Sequence, residues 1–176
     1  MPYRQEVPHL GVTGNPDTFN VATLPYPGQA GNTFQWNGNT YTIVQLDPGA
    51  TPPIIGQVMF WMTKTGLTPQ VTNVVANAVN GATTNAWRNE VAGIIRNIAT
   101  AGNWICMLIQ GSNIPVLITG VSPGIGDMAV ANVAASVGVA LNIAAGTAPT
   151  YQTIGVFRST FTGNLANCDV NIENLL

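Results

Sequence analysis

Apolar residues along this chain come in short runs, each closed by Gly, Pro, Asn or Asp, and no long 3.6-residue period takes over. Short apolar runs bounded by turn chemistry predict strands rather than helices. The clearest case is Thr33-Phe34-Gln35-Trp36, then Asn37-Gly38, then Asn39-Thr40-Tyr41-Thr42-Ile43-Val44-Gln45-Leu46. Asn-Gly between alternating segments marks a two-residue hairpin turn, because both positions tolerate positive φ. Asp47-Pro48-Gly49 ends the second strand. Gln57-Val58-Met59-Phe60-Trp61-Met62 is apolar without alternation, which predicts a strand buried on both faces. Residues 63–66 turn it, and Val71-Thr72-Asn73-Val74 predicts another strand.

Residues 75–97 carry mixed signals. Asn77, Asn80-Gly81 and Thr83-Thr84-Asn85 favour loop, while Val91, Ile94, Ile95 and Ile98 stand at helical spacing. Gly93 and the β-branched neighbours weigh toward strand, with one short helical turn allowed over 86–90. Further strands are expected at 104–110, 128–131, 138–141 and 154–157. Cys168-Asp169-Val170-Asn171-Ile172-Glu173 alternates and predicts a closing strand at a sheet edge. The punctuation is too irregular for a solenoid. The expected fold is all-β: a compact antiparallel β-sandwich or barrel with at most one short helix.

Residues 1–31 read differently. Pro2, Pro8, Pro16, Pro25 and Pro27 exclude a regular helix or a central strand. Yet Leu10, Val12, Phe19, Val21 and Leu24 are too apolar for a solvated tail. The expectation is an extended N-terminal arm over 1–31, lying across its own domain or a neighbour, followed by a single β-rich domain over 32–176.

Composition then narrows the function. The chain holds five basic and seven acidic residues in 176, or 7% charged, against about 25% in an ordinary soluble domain. Asn, Thr and Gln supply the polarity instead. A surface so poor in ions suits contact with other protein. Arg4, Lys64, Arg88, Arg96 and Arg158 are scattered, so no cationic patch exists for direct nucleic-acid binding. No basic-then-apolar leader opens the sequence, and no apolar stretch reaches membrane-spanning length; Asn132, Ser136 and Asn142 interrupt the nearest, so no membrane partner is expected.

Few residues could do chemistry. The one histidine, His9, sits in the Pro-rich arm, and no serine lies in a nucleophile elbow. Cys106 and Cys168 are expected as buried thiols rather than a disulfide. The acids show no ligand spacing, and Asp47 and Asp127 belong to turns; no metal and no cofactor is expected. Gly120-Val121-Ser122-Pro123-Gly124-Ile125-Gly126 lacks the Gly-Lys-Ser/Thr ending of a phosphate loop. Trp36, Trp61 and Trp104 lie in expected strands and belong to the core. Trp87, with Arg88 beside it in a polar stretch, combines the residue types enriched in interface hot spots. The expected interface residues are therefore Leu10, Val12, Phe19, Val21, Leu24, Trp87 and Arg88. An enzyme is not expected.

The order of short motifs carries a resemblance. Gly-Gln-Val-Met-Phe-Trp (56–61), Val-Thr-Asn-Val (71–74), Ala-Thr-Thr-Asn-Ala-Trp-Arg-Asn (82–89) and Val-Ala-Gly-Ile (91–94) are followed by Thr-Ala-Gly-Asn (100–103), Ile-Gln-Gly (109–111), Gly-Asp (126–127) and Ile-Gly-Val (154–156). Over roughly residues 54–160 this resembles the capsid decoration, or cement, proteins of tailed bacteriophages. The resemblance implies a β-rich virion protein on the outer surface of an icosahedral capsid. It would reinforce joints between major capsid subunits, as a homotrimer, after synthesis in the host cytoplasm. It offers no catalytic residues. The competing expectation is a carbohydrate-binding or adhesin-like β-sandwich of a virion fibre, resting on Trp87.

Overall fold

The computed structural model describes residues 14–24, 27–63, 68–75, 78, 91–120, 122–132, 139–149, 152–160 and 163–172. Among them the chain is all-β: β1 (Asn20–Val21), β2 (Thr33–Trp36), β3 (Asn39–Leu46), β4 (Val58–Thr63), β5 (Gln70–Thr72), β6 (Val91–Ile95), β7 (Trp104–Leu117), β8 (Met128–Ala131), β9 (Ala140–Ile143), β10 (Thr153–Phe157) and β11 (Leu165–Asn171). Short 3-10 turns at Pro16–Thr18 and Pro27–Gln29 are the helical elements. The short helical turn expected at 86–90 lies outside the described residues.

The Asn-Gly hairpin forms as expected. Trp36 pairs with Asn39, and Asn37 and Gly38 take φ of 48° and 78°. From β3 the pairing runs to β5, β4, β6 and β7, and β7 pairs back with β3. This closes a ring. Its one parallel contact is β3 with β5; the other pairings are antiparallel. The far half of β7 pairs with β11, followed by β10, β8 and β9. A bridge from Ile118 to Ala140 brings β9 back beside the end of β7.

β7 serves both halves because it turns a corner. A straight strand would put Met107 and Leu117 about 33 Å apart. Instead, Gly56 alone bonds both to Ile95, the partner of Met107, and to Leu117. The bend lies at Gly111–Asn113, where Asn113 takes φ 59° and donates its N–H to Asp169 Oδ1 at 3.0 Å. Asp169 is held in turn by Arg158 Nε at 2.6 Å. The sequence predicts this strand over 104–110; it runs on to Leu117, with Gly111, Ser112, Asn113 and Pro115 at a corner within one strand.

Two cores follow from period-two alternation. Val44, Leu46, Met59, Trp61, Val71, Ala92, Ile95, Ile105 and Met107 form one cluster. Their neighbours Ile43, Val58, Phe60, Val91, Ile94, Cys106 and Leu108 join a second, with Ile114, Val116, Ile154, Phe157, Cys168 and Val170. The ring strands are therefore buried on both faces, which is why β4 and β6 read as unbroken apolar runs.

One placement is corrected. The closing strand is not at an edge: β11 lies between β7 and β10. Its alternation, with Ala166, Cys168 and Val170 buried, reflects one buried face and says nothing about neighbours along the ladder.

Candidate interaction surface

Leu10, Val12, Trp87 and Arg88 lie outside the described residues. The other expected arm contacts fall on the chain's own domain. Leu24 is buried in the larger core, and Phe19 packs against it half-buried. Val21, also half-buried, pairs with Trp104, and Asn20 with Ile105. Neutral side chains pin this strap. Asn97 Nδ2 donates to the Phe19 carbonyl at 2.9 Å, and Asn103 Nδ2 donates to Asn20 Oδ1 at 2.9 Å. Asn15 caps the Pro16–Thr18 turn by accepting from the Asp17 amide at 3.0 Å.

Every charged side chain among the described residues (Asp17, Asp47, Arg96, Asp127, Arg158 and Asp169) has an internal partner. Arg96 meets Asp17 at 3.5 Å, and Arg158 meets Asp169. Asp47 Oδ1 accepts from the Gly49 amide at 2.9 Å. Asp127 Oδ2 accepts from the Gly124 amide at 2.8 Å and from Asn142 Nδ2 at 3.2 Å. The Gly124 amide, then Asn142, holds the Asp127 carboxyl below its ordinary pKa. The Asn113 amide, then Arg158, does the same for Asp169. Beyond these internally bonded ions, the described surface offers a partner mainly amides, hydroxyls and hydrocarbon.

The hydrocarbon is the part the sequence reading missed. Ile54, Ile55, Ile98 and Ile125 are exposed, the last two by 72% and 73%. Gly56 N–H bonds Ile95 O, and Ile95 N–H bonds Gln57 O. The 54–57 turn and residues 95–98 therefore share one end of the β4–β6 ladder, which carries Ile54, Ile55 and Ile98. The available signal was isoleucine inside turns: after Pro52-Pro53, before Thr100-Ala101-Gly102, and between Gly124 and Gly126.

Little here could perform a reaction. Among the described residues no three His, Cys, Asp or Glu gather as metal ligands, and no helix is long and apolar enough to cross a membrane. Both cysteines are buried free thiols. Burial pushes both thiol pKa values up, that of Cys168 to about 12, which disfavours the nucleophilic thiolate. Trp61 is core, while Trp36 and Trp104 pack against the larger cluster half-buried.

Besides the Arg96 ion pair, the strap brings a carboxylate to Tyr41. Tyr41 Oη donates to Asp17 Oδ1 at 3.0 Å while its ring stacks on Phe34. Burial, opposed by a hydrogen bond from Asn39 and reinforced by Asp17, raises the Tyr41 pKa from 10.0 to about 12. A folded pKa above the unfolded one gives stability that is complete below pH 10 and lost as pH rises through 12. We expect wild-type protein to lose about 1 kcal/mol between pH 9 and pH 11 beyond any loss in Tyr41→Phe. Urea titrations at the two pH values would check it; parallel losses in both proteins would refute the contact's role.

No protein-family model and no curated protein matches the chain. Among solved structures, the N base of the head fibre gp8.5 of bacteriophage phi29 aligns with a TM-score of 0.45 and 12% identity, covering 74% of this chain and 92% of that one.

Proposed function

We propose that this chain is a structural virion protein that binds the outer surface of an icosahedral phage capsid and reinforces contacts between major capsid subunits. The observation that carries the reading is that each of the few charged side chains among the described residues has a hydrogen-bonding or ionic partner within the molecule. Copies held at fixed spacing on a shell repel one another if their surfaces are ionic. A surface of neutral hydrogen-bonding groups and exposed isoleucines avoids that repulsion and adheres through area. The order of glycine-rich motifs, similar to that of decoration proteins, supports the same reading. The partners are the major capsid protein and further copies of this chain; no cofactor takes part.

The test is uptake of purified protein by expanded and unexpanded capsids. Saturable binding to one form is expected, and indifference to both contradicts the proposal. A truncation probing the arm's part in attachment must stop before Asn15, because Phe19 and Leu24 belong to the fold.

A further inference from the structure

We propose that the outer edge of β2 is a strand-pairing surface on which a second copy of this chain docks, β2 against β2 in antiparallel sense. The bonding pattern of the hairpin defines that edge. Ile43 N–H bonds Asn32 O, and Trp36 faces Asn39 across the turn. Antiparallel pairs alternate between bonded and non-bonded, so Phe34 and Trp36 bond inward to β3. The N–H and C=O groups of Thr33 and Gln35 then point away from β3. Both residues are exposed, and among the described residues β2 has no second strand neighbour.

Natural sheet edges are guarded by charge, proline, bulges or a covering segment. The other end of the strand order has such protection. β9 is bridged at Ala140 by Ile118, receives the Thr119 N–H there, and carries Asn142 bonded to charged Asp127. The segment Thr33-Phe34-Gln35-Trp36 has no charge, no proline and no bulge within its pairing to β3, and its residues favour strands. The choice of a second copy follows from this self-compatibility. A two-fold pairing sets Thr33 and Gln35 against the same neutral residues, with nothing to repel and side-chain hydrogen bonds to gain. Such an edge closes at two copies, so the trimers implied by the family resemblance would need another surface.

The test uses the full chain. Sedimentation over a concentration series is expected to show a monomer–dimer equilibrium, with the Thr33 and Gln35 amides exchanging more slowly as dimer accumulates. Gln35→Pro removes only the outward N–H, leaving the β3 ladder intact, and is expected to weaken dimerisation by about 30-fold, two net hydrogen bonds per symmetric pair. Gln35→Lys, which keeps the backbone donor but places like charges across the edge, is expected to weaken it as well without lowering Tm. A protein monomeric to about millimolar concentration, or an oligomer untouched by Gln35→Lys with Thr33 and Gln35 amides still exchanging freely, would overturn the proposal.

Discussion

Gly155→Ala is expected to destabilise the protein by about 3 kcal/mol or more and to lower Tm by roughly 6–12 °C. Gly155 sits in β10 with strands on both sides, opposite Val170 of β11 and Ala129 of β8. A methyl group there would fall on the Asp169 carbonyl oxygen and lie 2.9 Å from Cys168 Sγ. The obstacle is backbone, which cannot rotate aside as a side chain would, so β10 and β11 must separate. Asp169 also fixes the corner of β7 through the Asn113 amide, so the strain spreads to the junction of the two halves. Gly28→Ala is the control: nothing lies within 4 Å of the added methyl, and a change within about 0.5 kcal/mol is expected. Equal stability of Gly155→Ala and wild type in thermal unfolding would refute the close approach of these strands.

Trp61→Ala is expected to cost about 3–5 kcal/mol, measured as a lower urea midpoint. Trp61 is 1% exposed and fills the closed ring among Val44, Leu46, Met59, Val71, Ile95 and Met107. Those residues come from strands bonded to one another around the ring, so the walls cannot collapse far into the cavity. A loss under about 1 kcal/mol would mean that the ring is not closed around this side chain. Trp36 and Trp104 sit half-buried at the border of the other cluster, and their replacement by Ala should cost less.

Most strands were legible because local chemistry decides them. Asn37-Gly38 specifies its hairpin without help from distant residues, and the unbroken apolar run at 58–62 announces burial on both faces. What could not be read was set by contacts between distant segments. Alternation in β11 shows a buried face, but its position between β7 and β10 depends on pairings that no local pattern encodes. Gly111, Ser112, Asn113 and Pro115 look like a loop, since a strand corner uses the same backbone conformations as a turn. The arm's apolar residues were plain, but that Leu24 and Phe19 settle on their own domain depends on partners far along the chain. The same holds for the charges. Asp17 and Arg96 are 79 positions apart, so the count of ions was visible and their internal pairing was not. The exposed isoleucines went unnoticed because isoleucine in a short segment reads first as core.

The most direct measurement is the affinity of the purified protein for capsids across a salt series. Attachment through neutral groups should change by less than about twofold between roughly 50 and 500 mM salt, since salt screens neutral hydrogen bonds and apolar contacts little. A fall of about tenfold or more over that range would show that ionic contacts hold the protein to the shell, contrary to adhesion through neutral groups.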